Sequence, residues 1–307
     1  MNLLEHYTPD DIPPEIKVYE TEPIQLGLGK AGKVGNLLLE FDGESGRTVL
    51  KKSFSQVPLF VQRALYLEES LPNMAYVYLI SPSEGILQGD RYRIDISLKN
   101  NACAHLTTQS ATKIYSMNCN YATQVVNVNV DENCYFEFIP DQIIPYRNSR
   151  FYQRIDLRVH DNATMVYSEI VTPGRVASGE SFEYDACYLK TAGKNQDNTL
   201  RFTDVAVLEP KRQNLRRIGL LEDFDVVGSV YMLTAKEHTR EVKEELDLAF
   251  DNFQNVSCGA TIMPRDCGVM ARGLGNTAGD VRQFIFECVK TVRKLVLHAR
   301  FSGLRKY

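Results

Sequence analysis

The sequence predicts a mostly β protein of the α+β class. The body is an irregular β-solenoid, or twisted two-sheet stack of antiparallel hairpins, and a C-terminal part carries two helices. Three observations predict this fold. Strand-like alternation runs from residue 33 to about 207, asparagine-bearing turns recur at spacings of 32 and 29 residues, and helical periodicity begins after residue 234. Strands followed by a segregated helical part are typical of this class.

The strand assignments depend on alternation with a period of two residues. In the segments 91–98, 124–130 and 153–159, apolar residues alternate with mostly polar ones. The apolar positions are Tyr92, Ile94, Ile96 and Leu98, then Val126, Val128 and Val130, then Ile155, Leu157 and Val159. Successive side chains of a strand point to opposite faces, so this pattern predicts half-buried strands.

Each of these strands leads through a turn into a second strand. The joins are KNNACAHL (99–106), DENCYFEF (131–138) and HDNATMVY (160–167), which align on Asn101, Asn133 and Asn162. Asparagine suits such turns because it tolerates left-handed backbone angles. We interpret the series as a degenerate repeat of stacked hairpins. The alternative is an ordinary antiparallel protein, in which hairpins recur at similar distances.

The C-terminal part mixes helices and strands. Val242, Leu246, Ala249, Phe250 and Phe253 form one apolar stripe at helical spacing. Short strands are predicted at 258–263 and 268–274. A second helix is predicted from about 281 to 299, with Asp280 as its N-cap and an end near Gly303.

These patterns divide the chain into an extension and one domain. Residues 1–30 carry four prolines and predict a loosely ordered extension. Residues 31–307 form the domain, with a β-rich body at 31–233 and an α/β C-terminal part at 234–307.

Composition narrows the function classes. The net charge is −4, which argues against nucleic-acid binding by neutralisation of phosphates. No apolar run reaches the ~20 residues of a transmembrane helix, and the N-terminus lacks the order of a signal peptide. The seven cysteines are scattered and form no C-x-x-C, which is typical of reduced thiols. We therefore expect a cytoplasmic protein without membrane or nucleic-acid partners.

Known motifs for nucleotide binding and catalysis are not supported by the sequence. Gly27, Gly29 and Gly32 match G-x-G-x-x-G, but a strand-like segment follows them where a phosphate loop requires a helix. No G-x-S-x-G is present, and the five histidines have no metal-ligand spacing. The sequence therefore shows no catalytic triad or nucleotide-binding motif, and we expect no permanently bound cofactor and no permanent metal site. Metal ligands that only folding brings together remain an open alternative.

The most informative stretch is a polar run that follows Gly89-Asp90. It comprises Thr107, Thr108, Gln109, Ser110, Ala111, Thr112, Lys113, Ile114 and Tyr115. Such a run buries poorly unless it lines a polar cavity or meets a partner. The alternative is an exposed edge strand or loop.

The order of motifs around this run resembles the UreD (UreH) family of urease accessory proteins. The sequence has Gly89-Asp90, LTTQSATKIY (106–115), EFIPDQIIP (137–145), Glu169, then Gly174-Arg175 and Gly179-Glu180-Ser181-Phe182. The family patterns are G-G-D, T-x-x-A-x-K-x-Y, L-E-W-L-P-Q, a tryptophan–acidic pair and G-R-x-x-x-G-E-x-F. The resemblance covers residues 33 to 300. Gln88, Phe138 and Ser168 depart from it, where the family has glycine or tryptophan.

This resemblance implies a urease maturation factor that is not itself an enzyme. It implies a scaffold that binds the urease apoprotein, a UreF-like accessory protein and a UreG-like GTPase. Nickel(II) would be cargo in transit, and GTP would be handled by the partner.

The resemblance also implies site residues. A nickel passage needs spaced, weak oxygen ligands, because a cage of histidine and cysteine would trap the ion. Asp90, Glu169 and Glu180 are the candidates for its acidic lining. Further lining or motif residues are Gly89, Thr107, Thr108, Gln109, Ser110, Thr112, Lys113, Tyr115 and Arg175. Lys113 and Arg175 are interpreted as counter-charges, and Arg272 and the last helix as candidate partner surfaces.

Two other functions remain open at this point. One is a β-solenoid enzyme acting on glycans with carboxylates such as Glu137 and Asp141. The other is a generic β-rich interaction module without a metal role.

Overall fold

The structure is a computed structural model that describes residues 7–21, 33–44, 46–81 and 85–303. The glycine-rich motif at 27–32 lies outside the described residues. In the described ranges, the body consists of two facing β-sheets, and two long helices pack on one of them in the C-terminal part. The predicted solenoid-like stack is therefore confirmed.

The described residues contain the strands β1 to β17. They are β1 Val34–Asp42, β2 Val49–Gln56, β3 Phe60–Val61, β4 Ala75–Ile80, β5 Arg91–Lys99, β6 Cys103–Thr108, β7 Thr112–Ile114, β8 Ala122–Val130, β9 Tyr135–Phe138, β10 Ile143–Pro145, β11 Arg150–Val159, β12 Thr164–Val171, β13 Ala186–Lys194, β14 Leu200–Leu208, β15 Val226–Leu233, β16 Val256–Ile262 and β17 Gly268–Gly275. The first sheet has the order β14-β13-β11-β8-β5-β1-β2, and the second has β16-β17-β15-β12-β9-β6-β4-β3, with β10 and β7 continuing from β12.

The asparagine turns connect the two sheets. β5, β8 and β11 are parallel neighbours in the first sheet, while β6, β9 and β12 are parallel neighbours in the second. The two strands of each predicted hairpin thus lie in different sheets, and hydrogen bonding runs between successive repeats. Cys103 pairs with Tyr135 and Tyr135 with Thr164, which reproduces the spacing of the turns.

Left-handed asparagines form the first two of these turns. Asn101 and Asn133 have φ of 59° and 57°, as expected for residues whose short polar side chain tolerates this region. In the third turn, the backbone N–H of Asn162 instead donates to His160 Nδ1 over 3.1 Å.

Two apolar cores follow from this layering. The larger core fills the space between the sheets, with Ile96, Val128, Leu157, Phe136 and Met165 among its members. The smaller core lies between the outer face of the second sheet and the helices α2 Lys236–Phe250 and α3 Ala278–Val292. Strand β12 is buried along its whole length because it faces both cores.

The C-terminal predictions are confirmed in type and corrected at the ends. The two predicted strands are β16 and β17. The N-cap of α3 is Thr277, not Asp280: the Thr277 hydroxyl accepts from the Asp280 backbone N–H and donates to the Asp280 carboxylate over 2.6 Å. The Thr277 hydroxyl thus caps one free N–H of the helix start, and the Asp280 carboxylate fixes the orientation of that hydroxyl. Helix α3 ends at Val292, and a π-helical turn at Arg293–Leu297 follows.

The N-terminal residues differ from a loose extension where they are described. Residues 7–21 include a short helix, α1 Pro14–Lys17, and Ile16 is fully buried among Tyr121, Tyr152 and Ala186. This segment lies on the outer face of the first sheet. Within the described ranges, none of the helices has both the length and the apolar character needed to cross a membrane.

Candidate functional site

A row of polar residues interrupts the apolar core between the sheets. Tyr92, Gln124 and Gln153 occupy equivalent positions near the starts of β5, β8 and β11 and pair in register. Gln124 Nε2 donates to Gln153 Oε1 over 3.1 Å. All three positions are in phase with the inward apolar residues of their strands, so the row faces the interior.

Glu169 on β12 meets this row from the second sheet. Gln153 Nε2 lies 3.1 Å from the Tyr167 hydroxyl and 3.4 Å from Glu169 Oε2. The Tyr167 hydroxyl donates to Glu169 Oε2 over 3.1 Å. Buried polar groups need such partners, because an unpaired one costs about 1–3 kcal/mol.

The row continues from Glu169 to the surface. Tyr231 donates its hydroxyl proton to Asp204 Oδ2 over 2.6 Å, and Arg272 pairs with the same oxygen over 2.6 Å. The Arg272 side chain is 45% exposed. We call this connected set the polar layer; it consists of Asp90, Tyr92, Gln124, Gln153, Tyr167, Glu169, Tyr231, Asp204 and Arg272.

Burial dominates the ionisation of Glu169. It raises the pKa of Glu169 to about 7, against the hydrogen bond from Tyr167. Tyr231 has one hydroxyl proton and its nearest acceptor is Asp204, while Glu169 Oε1 lies 3.4 Å away. Glu169 Oε1 is therefore best satisfied when it is protonated and donates to Tyr231. The carboxyl is poised to exchange its proton near neutral pH.

Two small cavities lie beside the polar layer. One of about 30 Å³ is lined by Glu169, Tyr167, Gln153 and the hydroxyls of Thr108 and Thr112. The second, of about 40 Å³, is lined by Tyr92 and residues of the 108–112 loop. They share Leu79, Thr108, Thr112 and Gln124 as walls. Each has room for a water molecule or a dehydrated ion.

The structure brings part of the predicted lining together. Thr108, Gln109, Ser110 and Thr112 line these cavities, and Glu169 lines the first cavity together with Thr108 and Thr112. Among these, Gln109 and Ser110 are exposed. The 108–112 loop thus connects solvent to the buried carboxyl.

Asp90 lies at the other end of the polar layer and has a different role. Its carboxylate accepts hydrogen bonds from the backbone N–H groups of Lys33 and Leu87 and from the Tyr92 hydroxyl, over 2.8–2.9 Å. Gly89 before it has φ of 75°, which requires glycine in this turn. Asp90 therefore ties a turn together, and its partner Tyr92 lines the second cavity.

The remaining predicted residues form a separate group. Glu180 pairs with Arg175, whose guanidinium lies 4.3 Å from the Tyr146 ring centre, and Tyr115 packs on Tyr146. The hydrogen bond from Arg175 lowers the pKa of Glu180. Thr107 donates to the Ile139 carbonyl on the opposite face of β6, and Lys113 lies on β7. This group does not line the two cavities.

Sequence reasoning missed the glutamines that carry the polar layer. The signal was present, since Gln124 and Gln153 stand in phase with the apolar positions of their strands. A polar residue at an inward position is the exception that marks a buried polar row. Asp204 and Tyr231 had no such signal, because their meeting depends on how β14 crosses β15.

A second buried cluster was also missed. Arg293, in the π-helical turn, is fully buried and forms paired hydrogen bonds with Glu137 over 2.7 Å and with Glu68 over 2.8–2.9 Å. His105 Nδ1 lies 2.5 Å from the same Glu137 carboxylate. Burial alone would raise the pKa of Glu137, but Arg293 and His105 outweigh it and lower it to about 2. This cluster joins α3 to the second sheet.

The described residues contain no group of three or more His, Cys, Asp or Glu side chains arranged to hold a metal ion. Fold and site together define a solenoid-like β-scaffold whose interior offers spaced oxygen atoms around one carboxyl of raised pKa.

Comparison with known proteins identifies the family. The pattern of the family described as UreD urease accessory protein matches residues 33–305. The chain belongs to this family.

Known members of the family are similar to this chain along most of their length. A urease accessory protein UreD of Cenarchaeum symbiosum (strain A) is 42% identical over 286 residues, which span 92% of this chain and 99% of that protein. The UreD of Yersinia pseudotuberculosis serotype O:1b (strain IP 31758) is 40% identical, covering 92% and 89%. A urease accessory protein UreD 2 of Brucella canis is 39% identical, covering 93% and 95%.

Proposed function

We propose that this chain is a urease maturation factor that binds the urease apoprotein and helps deliver nickel(II) to it. Membership of the UreD family supports the role in urease maturation. One structural observation supports the nickel role: Glu169 lies on a polar layer that leads from the 108–112 loop to Arg272. In this proposal the protein performs no chemistry on the cargo and only passes it on.

The donor set suits a transit site. Among the residues that line the first cavity, Glu169, Tyr167, Thr108 and Thr112 carry only oxygen as side-chain ligand atoms, and Gln153 adds an amide group. Nickel(II) binds nitrogen and sulfur ligands more tightly, so an oxygen set holds it weakly and releases it. Because metal binding requires the deprotonated carboxylate, an arriving ion would displace the Glu169 proton near pH 7.

The two cavities are too small for a hydrated nickel ion to pass through them. The cavities hold a water or a dehydrated ion, whereas a fully hydrated nickel ion needs several waters around it. The route therefore has to widen, or the ion has to shed waters onto the hydroxyls and the carboxyl. We propose that assembly with urease and with the UreF-like and UreG-like partners provides this opening, and that the GTPase partner handles GTP.

The glycan-enzyme alternative receives no support from the geometry. Glu137 is fully buried against Arg293 and His105, and Asp141 pairs with Arg282 over 3.3 Å. Catalytic carboxylates of glycosidases have to flank a bound sugar in an open cleft. No observation separately favours a generic interaction module.

The test is nickel loading of urease. Cells that express the urease genes with the Glu169→Gln variant should yield urease with at least tenfold less nickel and activity, while the variant still co-purifies with urease. Glu244→Gln, on the exposed face of α2, makes the same chemical change and should load fully. If urease from cells with the Glu169→Gln variant contained as much nickel as with wild type, the proposed passage would be excluded. If the folded wild-type chain did not co-purify with urease, the scaffold role would be excluded.

A further inference from the structure

The N-terminal segment crosses the outer face of the first sheet. Arg154 on β11 pairs with Asp10 over 2.8 Å and with Asp11 over 2.7 Å, and Lys190 on β13 pairs with Asp11 over 2.6 Å. The hydrogen bond from Arg154 lowers the pKa of Asp10. Two adjacent carboxylates are thus held by two cations of neighbouring strands.

An apolar anchor follows the acidic pair. Ile16 is fully buried where β8, β11 and β13 begin, against Tyr121, Tyr152 and Ala186. Tyr19 then lies under the Arg150 guanidinium, which is 4.5 Å from the ring centre. At the end of the segment, Asn120 Nδ2 donates to the Thr21 carbonyl over 3.2 Å.

The contacted face extends beyond the segment as an open groove. This groove has a volume of about 470 Å³ and shares Arg154 with the contacts of the segment. Its charged lining comprises the basic residues Lys52, Arg93, Arg154, Arg158 and Lys194 and the acidic residues Glu40, Asp95 and Asp156. The basic excess matches the segment, which carries four carboxylates and one lysine between residues 7 and 21.

We infer that this face is a docking surface for an acidic peptide segment of a partner protein, and that residues 10–19 occupy it in the isolated chain. The ligand has an acidic pair for Arg154 and Lys190 and an apolar side chain for the Tyr121–Tyr152 pocket. A longer acidic segment also fills the open groove, which the resident segment leaves free.

Release of the resident segment from this face requires little free energy. The ion pairs are partly exposed, and such pairs contribute about 0–1 kcal/mol each. Within the described segment, the buried residues are Pro9, Pro13 and Ile16, and all others are partly or fully exposed. Segments with few buried contacts open locally without unfolding the domain. A partner segment competes with the resident one by mass action, and its apparent affinity equals the intrinsic affinity multiplied by the fraction of chains in which the face is free.

Binding of a labelled peptide to the full-length chain tests this inference. The probe is a fluorescent peptide of residues 7–21, and a released variant carries Asp10→Asn, Asp11→Asn and Ile16→Ala. Fluorescence anisotropy should give the released variant at least a tenfold lower apparent Kd than wild type. Adding Arg154→Ala and Lys190→Ala should weaken binding at least tenfold. The control pair, Lys290→Ala on α3 with Lys294→Ala in the π-helical turn that follows, should not. Raising the salt concentration should also weaken binding.

Absence of saturable binding to a folded released variant would overturn the inference. Peptide binding that is unchanged by Arg154→Ala and Lys190→Ala would also overturn it. A concentration-dependent dimer of the wild-type chain that is lost in the released variant would assign the face to exchange between copies instead. If the released variant fails to fold, hydrogen exchange on the wild-type chain decides. Excess unlabelled peptide should speed exchange in residues 7–21, and unchanged exchange would exclude displacement.

Discussion

The Gln153 side-chain amide lies 3.4 Å from Glu169 Oε2 and links the first sheet to the second inside the core. This contact places a carboxyl of raised pKa between an exposed polar loop and the Asp204–Arg272 pair. The same carboxyl has measurable consequences for stability and for nickel loading.

Stability should fall as pH rises because of Glu169. Its pKa is about 7 in the folded protein and 4.5 as the unperturbed value. The stabilising effect of the protonated form is complete below pH 4.5 and is lost as pH rises through about 7, a change of up to about 3 kcal/mol. In urea denaturation series at several pH values, the free energy of unfolding should fall with rising pH in wild type but not in Glu169→Gln. A parallel slope in both proteins would contradict the assignment.

Asp90→Ala should reduce the stability of the protein and not only the nickel loading of urease. The substitution removes three hydrogen bonds to a buried carboxylate, and we expect a loss of about 3 kcal/mol in the free energy of unfolding. Asp95→Ala, at a partly exposed ion pair on the outer face of the same strand, should cost about 1 kcal/mol or less. Equal unfolding midpoints for Asp90→Ala and wild type would refute the turn-tying role.

Arg293→Met should strongly destabilise the junction between α3 and the second sheet. It leaves Glu137 buried without its main counter-charge, and breaking such a pair costs about 3–5 kcal/mol. Lys294→Met next to it is the matched control and should change the stability by about 0.5 kcal/mol or less. Chemical denaturation monitored by circular dichroism would measure both, and similar values for the two variants would exclude the buried ion cluster as a support.

The same cluster predicts sensitivity to acid. The pKa of Glu137 is lowered to about 2, so its contribution is present above pH 4.5 and is lost as pH falls toward 2. Wild type should lose stability over this range more steeply than Glu137→Gln, which is already destabilised at neutral pH. Denaturation series between pH 2.5 and about 6 measure the difference, and identical slopes would count against the assignment.

Thr277→Ala should cost about 1 kcal/mol by removing the N-cap of α3. Thr277→Ser keeps the hydroxyl and should restore nearly all of this loss. Thermal unfolding of the three proteins provides the measurement. A serine variant as unstable as the alanine variant would show that the methyl group, not the cap, is responsible.

Much of the fold could be read from local patterns. Alternation in 91–98, 124–130 and 153–159 predicted the strands, and the asparagine spacing predicted the repeat, because both depend on neighbours in sequence. The cap of α3 was assigned to Asp280 instead of Thr277, since element boundaries are set by a few side-chain hydrogen bonds that the periodicity does not contain.

The candidate site was predicted in part. The polar run at 107–115 and Glu169 were selected from motif order, and the structure groups Thr108, Thr112 and Glu169 around one cavity. Glu180 and Arg175 were placed with them but form a separate group. Sequence order carries no information on which turn faces which cavity, because this depends on the stacking of the repeats.

By itself, the sequence determined the strand-rich class, the stacked repeat, the C-terminal helices and the resemblance to the UreD family. Only the tertiary structure decided that Gln124, Gln153 and Glu169 share one buried layer, that Asp90 ties a turn, and that Arg293 is buried against Glu137. The physical reason is that alternation and capping act over a few residues. The environment of a buried polar group instead arises from strands that are distant in sequence and come together only when the sheets stack.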